Sequence, residues 1–215
     1  MLFRSVTLHC QKLAEKHIGK PFRAGTRERM SPNELSIGLA WLHEHVTFIV
    51  PEEVLTISGV LDRATALVRR KGIQGLVIDP FNEFDHTRLS GMTESEYIGL
   101  TLGAIKRWAR KYAVHVWLVA HPQKLYRKDD GSYPVPTPYD ISGSANWRNK
   151  ADNCVTVWRD MNEPALPVQL HVQKVRFKHI GTVGIAELLW DRSTGRYTCP
   201  PLTPLSVVSA QEDDE

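Results

Sequence analysis

Two short apolar runs, each closed by a polar residue, constrain this chain more than anything else in it. Gly75-Leu76-Val77-Ile78 ends at Asp79, and Val114 to Ala120 ends at His121. Runs of this length and composition read as strands buried in a parallel sheet. Between them, Thr93-Glu94-Ser95-Glu96 is a capping box. It opens a helix whose apolar side carries Tyr97, Leu100, Ala104, Ile105 and Trp108. Strand, helix and strand joined by short links form a βαβ unit, so right-handed parallel pairing is expected.

The flanks extend this α/β core. Residues 5 to 17 read as a helix with Val6, Leu8, Leu13 and His17 on one side, stopped by Gly19-Lys20-Pro21. Ser31-Pro32-Asn33-Glu34 is another capping box, with proline at the first helical position and a stripe of Leu35, Leu39 and Leu42 behind it. Val46 to Val50 reads as a short strand, and a helix is expected after Ser58. Beyond a polar loop over 122–143, a helix is expected near Ser144 and a strand over Cys154 to Trp158. A hairpin follows, of Val168 to Phe177 and Gly184 to Trp190, then a turn at Asp191 to Gly195 and a last strand over Arg196 to Thr198. The sheet is expected to be mainly parallel, with these C-terminal strands as an antiparallel extension.

Composition narrows the class. A chain of 215 residues with 42% hydrophobic and 24% charged residues is ordinary for one globular domain. A net charge of +3 does not by itself imply a nucleic-acid partner, so the placement of charge matters more. Cys10, Cys154 and Cys199 are odd in number and widely spaced, which argues against a disulfide framework or zinc finger and suits a reducing cytosol. No apolar run reaches membrane-spanning length, and no membrane partner is expected. Residues 201–215, ending in Glu212, Asp213, Asp214 and Glu215, are expected to be a disordered acidic tail behind a domain at 1–200.

Several residues can carry chemistry. An acid at the carboxyl end of a parallel strand, as at Asp79, points into the crevice where α/β sheets bind ligands. In nucleotide hydrolases such an acid holds magnesium through water, although an aspartate there also serves to cap a strand or open a turn. His121 ends the neighbouring strand, where it can bond a phosphate or simply a backbone group. Strand alternation puts Lys174, Arg176 and Lys178 on one face, with Val175 and Phe177 inward. That face is either a solvated edge or a phosphate clamp reaching another subunit. Lys124, Arg127 and Lys128, interleaved with Tyr126, suit a single-stranded nucleic-acid backbone, and Arg148 can face nucleic acid or a subunit joint. A rival cluster, Asp79, Glu83, Asp85 and His86, could bind a hydrolytic metal, but its spacing matches no standard metal motif.

The order of these signals is distinctive. Gly75-Leu76-Val77-Ile78-Asp79 precedes Val116-Trp117-Leu118-Val119-Ala120-His121-Pro122 and then Ser142-Gly143-Ser144-Ala145. Ala151-Asp152-Asn153, Gln173-Lys174-Val175-Arg176-Phe177 and Trp190-Asp191-x-x-Thr194-Gly195-Arg196-Tyr197 follow. The series resembles the C-terminal helicase domain of phage-type Toprim primase–helicases and of the mitochondrial helicase Twinkle, within the DnaB-like ring helicases.

The resemblance runs from about residue 5 to 198 and implies a RecA-like P-loop NTPase core. It implies an ATP-dependent 5'-3' replicative helicase motor, a homo-oligomeric ring of six or seven subunits, and movement along single-stranded DNA with ATP and Mg2+. Asp79 then matches the magnesium-coordinating acid, and His121 the residue contacting the γ-phosphate. Arg176 matches the arginine finger reaching the neighbouring subunit's nucleotide, with Lys174 beside it. Lys124, Arg127 and Lys128 are the phosphate contacts of a central DNA loop.

One departure is large. The family's GxxxxGK[ST] phosphate loop is not in this sequence, and the nearest candidate, Gly19-Lys20, is followed by proline. The catalytic glutamate is expected upstream of Met1. The chain is therefore expected to be an incomplete core: a prophage fragment inactive alone, completed by a separately encoded N-terminal half, in a bacterial or phage-infected cytoplasm. The alternative is a non-enzymatic single-stranded DNA-binding or ring-interfering remnant.

Overall fold

The computed structural model describes residues 6–50, 56–84, 90–129, 131–142, 145–163 and 165–200. Along them run helices α1 (Val6–Ile18), α2 (Pro32–His45) and α3 (Ile57–Lys71), strand β1 (Gly75–Ile78), helix α4 (Glu94–Tyr112) and strand β2 (His115–Leu118). Helix α5 (Asn146–Lys150) and strands β3 (Asn153–Trp158), β4 (Val168–Val175), β5 (Gly184–Trp190) and β6 (Tyr197–Thr198) complete the order. The expected acidic tail lies outside the described residues, as do Asp85, His86, Gly143 and Ser144.

The βαβ unit forms as its sequence dictates. The Thr93 hydroxyl accepts from the Glu96 N–H, while the Glu96 carboxylate accepts from the Thr93 N–H at 2.9 Å. Those bonds, the backbone one foremost, hold the Glu96 pKa below the ordinary glutamate value. Helix α4 ends at Ala113, which turns left-handed at φ 52°, and the chain re-enters the sheet. β1 and β2 pair in parallel from Gly75↔His115 to Ile78↔Leu118.

Leu76 and Ile78 turn to one face of this pair and pack on α3 and α4 through Val60, Leu61, Ala64, Ile98, Leu102, Ile105 and Trp108. The Trp108 indole donates to the Thr65 hydroxyl at 2.8 Å, so its polar edge is satisfied inside the core. Helix α4 presents a slightly rotated face. Ile98 and Leu102 are buried, whereas Leu100, expected in the stripe, is 59% exposed.

The apolar runs predict strands buried on both faces, and these strands are not. Val77 is 65% exposed and Trp117 57%. The paired residues Val77 and Trp117 share the face away from Leu76 and Ile78, whose helical cover comes from α3 and α4. Val46 to Val50 is not a strand either. It lies extended after the α2 C-cap but pairs with nothing described, and a strand exists only through its neighbour. The α3 cap is Thr56, whose hydroxyl accepts from the Gly59 N–H, rather than Ser58.

Helices α1 and α2 make a second small core around Ala14, Met30 and Leu42. Ser31 and Glu34 form the expected capping box. The contact face runs through Gly38 and Leu42, while Leu39 is 46% exposed. Gly38 permits the close approach: a Cβ there would lie 3.3 Å from the Ile18 side chain and 3.4 Å from Ala14 Cβ. His17 stacks on Trp41 at 4.3 Å.

The remaining strands form a four-stranded antiparallel sheet in the order β3-β4-β5-β6, larger than the parallel pair. Its last turn grips α1. The Asp191 carboxylate accepts from the N–H and hydroxyl of Ser193, from Thr194 and from Arg27. Gly195 follows at φ +68°, and Arg196 donates to the C-terminal carbonyls of Lys16 and His17 in α1. No described helix is long and apolar enough to cross a membrane.

Candidate functional site

Asp79 follows β1 directly, and His121 stands three residues beyond β2. Parallel pairing therefore brings both to the carboxyl-terminal end of the sheet, where α/β folds open their crevice. The link between them is specific. The Val119 N–H donates to the Ile78 carbonyl, and the Phe81 N–H returns a bond to the Val119 carbonyl at 2.8 Å. The Asn82 carboxamide oxygen accepts from the His121 N–H at 3.0 Å. Phe81, 4% exposed, anchors this corner by meeting the Trp147 ring edge-on at 5.0 Å.

Both Asp79 and His121 are exposed. Among the described residues no donor bonds the Asp79 carboxylate, so its oxygens are open to a hydrated cation or to water. The rival metal cluster depends on Asp85 and His86, which lie outside the described residues.

The loop after His121 is closed at its base and open at its tip. Pro122 bridges Ile141, and the Gln123 N–H donates to the Asp140 carbonyl. At the tip, the Lys128 N–H donates to the Ser132 carbonyl and Gly131 turns at φ +78°. Lys124, Arg127 and Lys128 are exposed there, with Tyr126 at 80%. Arg127 lies over the Tyr133 ring at 5.1 Å. The hydrogen bond between them, then their charges, lower the Tyr133 pKa and raise that of Arg127. The cations thus stand interleaved with aromatic rings on a solvent-facing loop.

Lys174 and Arg176 are brought together as alternation predicts, but not onto a solvated edge. Lys174 donates to the Arg148 carbonyl, and Arg176 Nη2 donates to the Asn149 and Ala151 carbonyls at 2.8 and 3.2 Å. These carbonyls belong to α5 and the residue after it, so the two cations complement the negative end of that helix. Arg176 also pairs with Asp152 at 2.8 Å, and Lys106 reaches the same carboxylate oxygen at 2.6 Å. Burial opposes ionisation of Asp152, yet the Lys106 bond and the Lys106, Arg176 and Arg110 charges outweigh it and hold its pKa below the ordinary value. Burial, then the neighbouring Arg176 charge, lowers the Lys174 pKa.

Two expectations fail here. β4 ends at Val175, before Arg176, and Phe177 is 47% exposed rather than packed inward. Past the strand's end no partner remains to fix the alternation. Arg148, expected with the loop cations, lies over Tyr139 at 5.6 Å and adds its charge to that around Lys174.

Sequence reasoning missed Asn82, Lys106 and the role of Asp152. Asn82 has no local signature. Lys106 looks like any solvated helix cation until α5 is placed beside it, with Asp152 just beyond. The clamp at Asp191 was visible only as a motif, not as the tie to α1.

Comparison with known proteins follows this geometry. No family model matches the chain. It is 46% identical over 205 residues to the Twinkle homolog protein, chloroplastic/mitochondrial, of Arabidopsis thaliana. That match covers 91% of this chain and 28% of the relative, so the chain spans less than a third of the relative's length. Among solved structures, a DnaB-like helicase's ATPase domain superposes with a TM-score of 0.71 at 16% identity, covering 92% of this chain and 72% of that one. A DnaB-like replicative helicase, solved in a study of its interactions with primase, gives the same TM-score and identity over 90% of this chain and 49% of its own. The chain is thus similar in sequence to a Twinkle homolog over nearly all of its own length, and it has the RecA-like fold of DnaB-like helicase ATPase domains.

Proposed function

We propose that this chain contributes part of the ATP site and the DNA-gripping loop of a 5'-3' replicative DNA helicase motor that works as a homo-oligomeric ring. The observation that carries this reading is the placement of Asp79 and His121 at one end of paired parallel strands, joined through Asn82. The unengaged Asp79 carboxylate fits a magnesium ion held through water. His121 faces the same crevice end and can donate to a phosphate oxygen. Bound MgATP would supply the phosphoryl transfer that drives movement.

Arg176, with Lys174 beside it, is placed in this proposal as the finger toward a neighbouring subunit's nucleotide. The exposed Lys124, Arg127 and Lys128 track the DNA backbone, with Arg148 at the loop's root. The loop that cradles the phosphates has the form GxxxxGK[ST] and is not in these 215 residues. It must come from other polypeptide, and the chain alone is inactive.

Two measurements test the reading. The chain should bind a labelled single-stranded oligonucleotide in a salt-sensitive way. Replacing Lys124, Arg127 and Lys128 together by alanine should flatten the salt slope by about 2, from about 0.7 per lost phosphate contact. Absence of binding at low salt removes the DNA arm. ATP hydrolysis by the chain alone should be undetectable, and DNA-stimulated turnover abolished by Asp79→Ala would contradict the missing-loop argument. Single-stranded DNA binding that does not change when the rest of a motor is supplied would favour the second reading, a non-enzymatic DNA-binding module.

A further inference from the structure

We propose that Asp152 is a positioning residue for Arg176: it holds one side of the guanidinium so that the other side faces outward, ready for a phosphate. The inference rests on the reading of Arg176 as a phosphate-facing group.

Arg176 has five N–H donors in a rigid planar fork. Nε goes to Asp152 at 2.8 Å. Nη2 goes to the Asn149 and Ala151 carbonyls. Nη1, with two donors, has no partner among the described residues. The backbone is fixed at the same place, because the Arg176 N–H donates to the Asp152 carbonyl at 2.8 Å. A side chain with many rotamers is thus reduced to one orientation by contacts to a single short segment, 149–152. Flexible cations lose rotamer freedom on binding an anion, and Asp152 removes that cost beforehand.

The charge balance argues that this carboxylate serves more than neutralisation. Lys106, Lys174 and Arg176 converge on it, and Arg110 and Arg148 add their charges nearby. One carboxylate among so many cations leaves the cluster positive and attractive to an anion. Lys106 completes the device. It bridges the Lys150 carbonyl and Asp152 at 3.1 and 2.6 Å, which ties the carboxylate to α4 in the main core. Arg176 is therefore referenced to the same helix that packs beneath β1.

Simple electrostatics and positioning predict opposite signs. Asp152→Asn removes a negative charge, so charge alone would strengthen binding of a polyanion. If Asp152 positions Arg176, the same change weakens it. The test uses the full chain and inorganic triphosphate as the probe, with affinity read by calorimetry. Arginine Nε–Hε resonances are read by NMR, Arg176 being assigned through Arg176→Lys. Wild type should show a solvent-protected Arg176 Nε–H that is lost in Asp152→Asn, while the amide spectrum of β3 and β4 stays folded. Triphosphate affinity should fall by about threefold or more, within the range of one partly exposed ion pair.

Equal or tighter binding by Asp152→Asn overturns the proposal, as does an unprotected Arg176 Nε–H in wild type. Triphosphate binding that ignores Arg176→Lys refutes the phosphate-facing reading of Arg176, and the resonance then decides positioning by itself. Asp152→Ala repeats both readouts, so that an altered fold in one variant does not decide the result.

Discussion

Phe81→Ala should cost this protein more stability than any change in the exposed loops, and the structure sets the size. Phe81 is 4% exposed, touches Trp147 edge-on at 5.0 Å and stacks toward Phe84 at 6.2 Å. Truncating a buried phenylalanine costs about 3–5 kcal/mol, as lost transfer energy plus the cavity left behind. An aromatic pair adds about 0.5–1.5 kcal/mol beyond area burial. The Phe81/Trp147 double-mutant cycle should therefore return a coupling of about 1 kcal/mol. Small domains have urea m-values of about 1–3 kcal/mol/M. A loss of about 4 kcal/mol at an m of about 2 moves the urea midpoint down by about 2 M. The assay is urea unfolding followed by circular dichroism and tryptophan emission. A shift below about 0.5 M with unchanged m would show that the corner joining β1, β2 and α5 is not packed as described. It would also remove the reason for holding Asp79 and His121 in register.

Two further outcomes follow from local chemistry. Asp191 is held at a pKa of about 2, chiefly by the Ser193 side-chain and backbone bonds, against 3.8 for an ordinary aspartate. Because the folded value is the lower one, its stabilisation is complete above about pH 4 and is lost as pH falls toward 2. This carboxylate is largely solvated, so the effect should stay below about 1 kcal/mol. Asp191→Asn should flatten the acid limb of the unfolding-midpoint curve, and an unchanged limb would refute that role. Gly38→Val should cost about 1–3 kcal/mol by forcing α1 and α2 apart at Ala14 and Ile18. A melting temperature equal to wild type would show that the helices do not touch there.

What was legible in the sequence was local or strictly periodic. The capping boxes at Ser31 and Thr93 name their own partners three residues away, and both formed as read. The order of β1, α4 and β2 and their parallel pairing followed from two apolar runs and a capped helix. Helix phase was less legible. Leu39 and Leu100 look like core residues by type, yet Gly38 and Leu102 occupy the core, because a glycine contact and the sheet's position set the rotation. Val46 to Val50 has strand composition but no neighbour, and composition does not report neighbours. At the candidate site, Asp79 and His121 were visible because strand ends are visible. Asn82, Lys106 and the pairing of Asp152 with Arg176 depend on contacts between distant segments, which no local pattern encodes.

The uncovered side of the parallel pair has a practical optical consequence. Trp108 and Trp147 are buried at 8% and 7% exposure, so their emission reports the interior and changes little while the core stays intact. Trp117 stands on the bare face beside Val77 at 57% exposure. It should emit at the red end of the spectrum and be quenched readily by iodide. Whatever comes to lie over that face will shift Trp117 to the blue and shield it from quencher. The chain therefore carries its own fluorescent gauge for the covering of its sheet, at a position that needs no label.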